Sequence, residues 1–222
     1  AQMGDGLSPE FLLGLPRATI NDACKPGGII VLLGPDPKEE LGSLYLRLRH
    51  AVVHDGATLI ELTPTSTGLT PYAAHSLRVR PGETNEVVQS MFGEGGVAPI
   101  GGVDPEDAKK AGSLLQAADS VTVLLGRSSL AETEGPVIDA ALALHDRLAD
   151  VQLLSLIRRG NIHGAFDMGM APNLLPGRTT LISHQASIKE IWPTLPTTRG
   201  HDAVQMIESA AEGKIDVLVL LG

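Results

Sequence analysis

The stretch Ile29–Pro37 reads IIVLLGPDP and decides the fold class that the sequence predicts. Its first five residues are all apolar, which is typical of a strand buried on both faces of a parallel sheet. Gly34 ends this strand. Asp36 followed by Pro37 marks a helix start, because aspartate caps helices and proline fits their first position. An apolar stripe at helical spacing then leads to a second apolar run at Ala57–Leu62. The sequence therefore predicts a βαβ unit with parallel strands and a right-handed crossover.

The rest of the chain continues this alternation. We predict an α/β fold of two Rossmann-like lobes with mostly parallel sheets, in which residues 24–92 form the first lobe, residues 93–103 a Gly-rich linker and residues 104–222 the second lobe. The tetrapeptide VLLG ends three predicted strands, and its last copy lies at 219–222. Because a parallel strand needs a crossover helix to cover it, we expect the second lobe to be truncated at its last strand. The other predicted elements are an extended segment at 75–80, helices at 83–92, 104–118, 137–148 and 202–212, strands at 121–125, 151–156 and 217–221, and a long loop at 158–180.

Charge and composition exclude several classes of function. The net charge is −9, with 17 Lys and Arg against 26 Asp and Glu, so the surface does not favour nucleic acid. The single cysteine, Cys24, excludes a disulfide framework and an iron–sulfur cluster ligated by cysteines of this chain. The apolar runs fall far short of the roughly 20 residues of a membrane-spanning helix. We therefore expect a cytoplasmic protein with no direct membrane insertion.

Two patterns resemble a cofactor motif and a metal site, but their sequence context indicates that neither binds a ligand. Residues 93–98 match the dinucleotide pattern G-x-G-x-x-A, but a predicted helix precedes them and a proline follows, whereas the motif works only between a strand and a helix. His50 and His54 have the spacing of metal ligands on a helix, but no third ligand is evident nearby. We predict a linker at the first pattern, surface histidines at the second, and no metal site.

Five residues are candidates for a ligand site: Gly34, Asp36, Glu61, Thr63 and Asn85. They lie at or just beyond the carboxyl ends of predicted parallel strands, or at the start of the following helix. Open α/β sheets bind ligands in crevices at that edge. Asp36 is better explained as a helix cap than as a ligand group. Glu61 is equally well explained as a ribose-binding carboxylate or as a solvated strand end. No catalytic residue is predicted.

Two stretches resemble the molybdopterin oxidoreductases. In residues 29–88, a strand, a Gly-Pro-Asp-Pro turn, a helix, a second strand and a Pro-Gly turn follow the order of that family's α/β segment. The stretch Arg158–Gly177, RRGNIHGAFDMGMAPNLLPG, is more specific. It resembles the large iron–sulfur subunit of the bacterial NADH-quinone oxidoreductase (respiratory complex I), particularly its actinobacterial forms. The resemblance covers residues 24–222.

The departures from the family pattern concern residues that hold its cofactor. This chain has GPDP at 34–37 where the family has Gly-Ser-Asn-Pro, and TPT at 63–65 where the family has Asp-Pro-Arg. It also has PGETN at 81–85 where the family has Pro-Gly-Thr-Asp. A charged hydrogen bond contributes roughly 1.5–3 kcal/mol, so losing several is expected to abolish tight binding.

The resemblance implies a structural, cofactor-free relic of a molybdenum enzyme. It places this region in the peripheral arm of a proton-translocating respiratory complex, on the cytoplasmic side of the cell membrane and in contact with other subunits of that arm. It implies that the iron–sulfur clusters that pass electrons from NADH to quinone are held elsewhere in the parent subunit. Two alternatives remain. One is a molybdopterin guanine dinucleotide-binding oxidoreductase domain, and the other is a nucleotide- or small-acid-binding α/β module unrelated to respiration, since fold alone does not determine function.

Overall fold

A computed structural model describes residues 7–93, 98–127, 135–157, 160–182 and 188–220 of the chain. The chain divides into two compact units. The larger spans residues 5–158, and the smaller contains residues 159–222. No helix in the described ranges is long and apolar enough to cross a membrane.

The larger unit is built on one five-stranded sheet. Its strands are β1 (Ile29–Leu33), β2 (Thr58–Thr63), β3 (His75–Arg78), β4 (Val121–Leu125) and β5 (Val151–Ser155). All neighbouring pairs are parallel, and their order is β3-β2-β1-β4-β5. The predicted α/β class is therefore confirmed. Because the chain moves outward from β1 in both directions, right-handed crossovers put its connections on opposite faces of the sheet.

Helices cover both faces of this sheet. They are α1 (Pro9–Gly14), α2 (Ile20–Ala23), α3 (Pro37–Glu40), α4 (Gly42–His54), α5 (Thr84–Met91), α6 (Pro105–Gln116) and α7 (Gly135–Arg147). On one face, strand residues such as Val31 and Ile60 form a core with α5, α6 and α7. On the other face, alternate residues such as Ile30 and Leu59 pack against α4. Residues of the two cores alternate along each strand, as expected for parallel strands that are buried on both faces.

Aspartate and proline set the helix starts as predicted. The Asp36 carboxylate accepts a hydrogen bond from Lys38 N at 2.9 Å, and the Asp104 carboxylate accepts one from Glu106 N at 2.8 Å. The helix predicted after Asp36 is divided into α3 and α4, because Leu41 between them has the non-helical dihedrals φ −140° and ψ 63°.

The boundaries of the units differ from those of the predicted lobes. β1 and β4 pair along their length, from Ile29 opposite Val121 to Leu33 opposite Leu125, so residues 24–92 and 104–158 share one sheet. The predicted linker at 93–103 lies inside this unit, and its residues 94–97 fall outside the described ranges. Gly101 and Gly102 form a tight turn with φ of +59° and +85°, and Arg80 N donates to Gly101 O at 2.8 Å. A packed turn that requires glycines therefore has the same Gly-rich composition as a linker, and composition alone does not distinguish the two.

The N-terminal residues extend the sheet at β5. Leu153 N donates to Pro16 O, and Ala18 N donates to Leu153 O, both at 2.8 Å. This pairing covers part of a strand edge that would otherwise present unpaired backbone groups. Residues 1–10 lack periodicity, so no element is predicted there; in the structure α1 begins at Pro9 with Ser8 as its N-cap.

The smaller unit contains α8 (Ile162–Asp167), the antiparallel pair β6 (Leu174–Leu175) and β7 (Thr179–Thr180), and α9 (Ala203–Ala211). The helix predicted at 202–212 is confirmed, and Asp202 forms a capping box with Gln205. The loop predicted at 158–180 is wrong where α8 and the β6–β7 hairpin occur, and residues 158–159 lie outside the described ranges. Here glycines with positive φ at 169 and 177 permit close turns rather than an irregular loop.

The strand predicted at 217–221 is wrong for its described residues. Residues 217–220 form no strand, and Val217, Val219 and Leu220 are largely exposed. An apolar run becomes a strand only when a neighbouring strand pairs with it, and no strand in the described part of the chain does so here. Residues 221–222 lie outside the described ranges.

Candidate functional site

Four of the five candidate residues lie at the carboxyl edge of the sheet. Gly34 follows β1, Asp36 caps the next helix, and Glu61 and Thr63 are among the last residues of β2. The switch point of the strand order lies between β1 and β4, which is where open α/β sheets hold ligands.

The two strand ends at this switch point touch each other directly. Gly126 N donates to Leu33 O at 2.9 Å. A Cβ at Gly34 would lie 2.9 Å from Gly126 N, and a Cβ at Gly126 would lie 2.7 Å from Pro35 Cδ. Only glycine fits at these two positions, because the chain that follows β1 packs on the chain that follows β4. The glycines that end these two VLLG strands therefore serve close backbone packing.

Both carboxylate oxygens of Asp36 accept hydrogen bonds from the backbone. Oδ1 accepts from Lys38 N at 2.9 Å and caps α3, while Oδ2 accepts from Gly68 N at 2.8 Å. Gly68 lies 32 residues further along the chain, in the segment between β2 and β3. Asp36 therefore joins the turn after β1 to the turn after β2, in addition to its expected role as a cap.

Glu61 is fully buried in a network of hydrogen bonds at the end of β2. Its Oε1 accepts from the hydroxyls of Thr63 and Thr70 at 2.9 and 3.0 Å, and from Arg78 Nη1 at 3.1 Å. Ser76 Oγ lies 3.4 Å from Oε2. A buried carboxylate is strongly unfavourable without such partners, so this network accounts for its presence in the sheet. Glu61 is therefore not the solvated strand end that the sequence left open as one interpretation.

Arg78 connects the ends of β2 and β3 to the turn between them. Its Nη1 lies 2.8 Å from Thr63 Oγ1 and 2.6 Å from the carbonyl oxygen of Thr65, and its Nη2 lies 3.0 Å from Thr70 Oγ1. Thr70 Oγ1 also accepts from Thr67 N at 2.8 Å. The Arg78 guanidinium thus holds both ends of residues 65–70, the segment in which Gly68 N donates to Asp36.

Sequence reasoning missed Arg78, although a signal for it existed. Residues 75–80 are predicted to be extended, and the parallel register places Arg78 beside Thr63 on the same face of the sheet. Recognising the pair requires that register, because 17 residues separate Arg78 from Glu61.

Asn85 does not join this network. It lies in the first turn of α5, which packs on the core that contains Val31 and Ile60. Its side-chain Oδ1 accepts from Gln89 Nε2 at 3.3 Å, one helical turn away. The structure therefore brings Asp36, Glu61 and Thr63 into one connected set and leaves Asn85 outside it.

The described residues contain no cluster of three or more His, Cys, Asp or Glu side chains suited to hold a metal ion. The rings of His50 and His54 meet edge to face, with centroids 4.9 Å apart, on the surface of α4. Burial raises the pKa of the Cys24 thiol, and the nearby Arg47 partly opposes that shift. The thiol is therefore protonated at neutral pH, a form that is a weak nucleophile and a poor metal ligand.

No family model matches the chain. The chain is 26% identical to the NADPH-Fe(3+) oxidoreductase subunit alpha of Geobacter sulfurreducens, a match that covers 95% of this chain and 29% of that protein. It is 27% identical to the NADH-quinone oxidoreductase subunit, designated G, of Streptomyces coelicolor, covering 87% of this chain and 22% of that protein. Both relatives are oxidoreductase subunits by name, and the chain spans less than a third of either one. The chain is thus a distant relative of part of such subunits.

A solved structure shows the same fold. The formyltransferase/hydrolase complex of Methylorubrum extorquens, bound to methylofuran, contains a chain that matches with a TM-score of 0.57 and 14% identity. The match covers 93% of this chain and 57% of the other. At that identity the similarity concerns the fold alone.

Proposed function

We propose that this chain is a structural, cofactor-free region of the large subunit of an NADH-quinone oxidoreductase of actinobacterial type. In this proposal, electrons pass from NADH to quinone through iron–sulfur clusters held outside residues 1–222. The chain supplies framework and contact surface in the peripheral arm, on the cytoplasmic side of the membrane. The distant similarity to the Streptomyces coelicolor subunit and the resemblance of residues 158–177 support the choice of complex.

The observation that carries the proposal is the state of the two carboxylates at the sheet edge. In a dinucleotide-binding α/β protein, an acidic side chain near this edge accepts hydrogen bonds from ribose hydroxyls. Here both oxygens of Asp36 accept from backbone N–H groups, and Glu61 is buried against Arg78 and two threonines. Gly34 also packs directly on Gly126 at the ends of β1 and β4. Carboxylates already held by the protein's own groups support a cofactor-free role.

The burial of Glu61 also supports this proposal. A ligand that took the place of Arg78 at Oε1 would leave the carboxylate buried without its counter-charge. Separating a buried ion pair costs roughly 3–5 kcal/mol, which the ligand's own hydrogen bonds, at roughly 1.5–3 kcal/mol each, would first have to offset.

The experiment is an elemental and cofactor analysis of the protein purified from its native cells. Molybdenum and tungsten are measured by plasma mass spectrometry, and pterin by its fluorescence after acid oxidation. We expect far less than one metal atom and one pterin per chain, with iron present if the clusters of the parent subunit co-purify. One pterin per chain would overturn the cofactor-free role and favour a molybdopterin guanine dinucleotide-binding oxidoreductase domain.

A second candidate is the corresponding region of an NADPH-dependent oxidoreductase that reduces Fe(3+). The wider match to the Geobacter sulfurreducens subunit alpha, 95% of the chain against 87%, favours it. The candidates differ in electron donor and acceptor. Reduction of quinone by NADH in the native assembly supports the first candidate, whereas a requirement for NADPH with reduction of Fe(3+) supports the second.

A further inference from the structure

The outer face of α4 is apolar at its centre. Leu46 and Val53 lie on the side of this helix opposite to its buried residues Leu44, Leu48 and Ala51. They are 61% and 48% exposed, and His50 lies between them on the same face. We call Leu46, Arg47, Arg49, His50 and Val53 the α4 face.

Such exposure is rare in the larger unit. Among its described residues, only four large apolar side chains are exposed, namely Ile20, Leu46, Val53 and Leu114. Two of them belong to the α4 face. A third, Ile20, is in α2, which is joined to α4 by a hydrogen bond from Arg47 Nη2 to Asn21 Oδ1 at 2.9 Å. Two of the four exposed large apolar side chains described in this unit therefore share one face of α4.

The α4 face is also basic, although the chain as a whole is acidic. The 13 residues of α4 include two arginines and two histidines but no aspartate or glutamate. Arg49 is held over the ring of Tyr72, 5.2 Å from its centroid, and Arg47 by Asn21. Neither guanidinium forms an ion pair with a carboxylate in the described part of the chain. Both charges are thus fixed in position and available to an outside partner, although the whole chain carries −9.

We propose that the α4 face binds a separate protein subunit through an acidic helix or strand that carries apolar side chains. Leu46 and Val53 supply the apolar contact, and Arg47 and Arg49 at its flanks pair with carboxylates of the partner. This inference rests on the proposed role as a region of a multisubunit oxidoreductase and identifies the surface that the assembly uses.

The charges of the α4 face favour this partner over two others. A symmetric contact between two copies would place the α4 faces together, with arginines opposed to arginines. A basic partner is repelled by the same residues.

The first test is site-specific photo-crosslinking in the native assembly. Leu46 is replaced by benzoylphenylalanine in the full-length chain expressed in its own cells, and Leu114 on α6 is replaced in the same way as a control. We expect Leu46 to crosslink to a stoichiometric component of the purified assembly, at a segment rich in Asp or Glu and apolar residues, and Leu114 not to crosslink to that segment. Crosslinks to lipid, to a second copy, to another segment of the same polypeptide or to a basic segment would overturn the proposal, as would their absence from an intact assembly.

The second test measures affinity. The substitution R49E, alone and with L46D, is compared with L114D in the same assembly. We expect each change on the α4 face to weaken retention of the crosslinked subunit by about tenfold, and L114D to leave it unchanged. Equal retention in all variants would contradict the proposal. Pterin and metal content are measured on the same samples, so a failed docking surface is distinguished from a failed cofactor-free role.

Discussion

The carboxylate of Glu61 and the guanidinium of Arg78 lie 3.1 Å apart at the carboxyl edge of the sheet, where the carboxylate is fully buried and the guanidinium about one-third exposed. The pair joins β2 to β3, and through Thr65 and Thr70 it also holds the turn between them. The edge at which related folds receive nucleotides is here stabilised by the protein's own charges.

Replacing Arg78 by methionine is predicted to lower the free energy of unfolding by about 3 kcal/mol. The reason is that Glu61 then remains buried without its counter-charge. Urea unfolding of the wild type and R78M measures the difference. The exposed pair of Arg80 and Glu83, 3.8 Å apart, provides the control, and R80M is expected to change stability by less than about 1 kcal/mol.

The double substitution E61Q/R78M is predicted to recover part of that loss, since the neutral amide needs no counter-charge. Unfolding free energies of the wild type, both single variants and the double variant form the cycle. Strictly additive losses would show that the two side chains are not coupled and would contradict the role assigned to the pair.

Asp36 is predicted to contribute more to stability than Asp104, although both precede a proline at a helix start. D104A removes only a cap, at about 1 kcal/mol, whereas D36A also removes the contact of Oδ2 with Gly68 N. We expect D36A to be the more destabilising by about 1 kcal/mol and to increase amide hydrogen exchange of residues 67–70. Equal losses in chemical unfolding, with unchanged exchange, would rule out the connection between the two turns.

Gly112 is predicted to be intolerant of alanine because α5 and α6 meet there. A Cβ at this position would clash with the carbonyl oxygen of Met91. We expect G112A to lower the unfolding free energy by about 2–3 kcal/mol despite the better helix propensity of alanine. G42A at the start of α4, where nothing lies within 4 Å of the added Cβ, is the control and is expected to be neutral or stabilising.

Cys24 is predicted to make the chain less stable in alkali. Burial raises the pKa of its thiol in the folded state. The unfolded chain therefore releases this proton first, and stability falls as the pH rises from about 8.5, the ordinary thiol value, through the folded pKa. C24A is expected to lose less stability than the wild type across that range in urea unfolding at matched pH values. Parallel pH profiles would contradict the assignment.

The parallel α/β fold could be predicted because its signals are local. The apolar run at 29–33 and the Asp-Pro helix starts at 36 and 104 act within a few residues, and each is found where expected. The division into lobes could not be predicted, because the pairing of β1 with β4 connects residues about 90 positions apart and leaves no trace in composition.

The location of the candidate residues could be predicted from the sequence, but their hydrogen-bond partners could not. Asp36 and Glu61 are at the expected edge, but what they bind depends on Gly68, Thr70 and Arg78, which come together only through the β2–β3 register. The exposed run at 217–220 shows that composition alone does not determine a strand. Its residues are typical of a strand, but a strand also requires a neighbouring strand to pair with it.

We infer that protein groups, and not a cofactor, hold the carboxylates of Asp36 and Glu61 at this sheet edge, and the most direct test is a density map of the native assembly at side-chain detail. We predict a continuous Glu61–Arg78 contact, Gly34 packed on Gly126, and only protein density around Asp36. Density for a pterin or a nucleotide against Asp36, with Arg78 turned away from Glu61, would contradict the account.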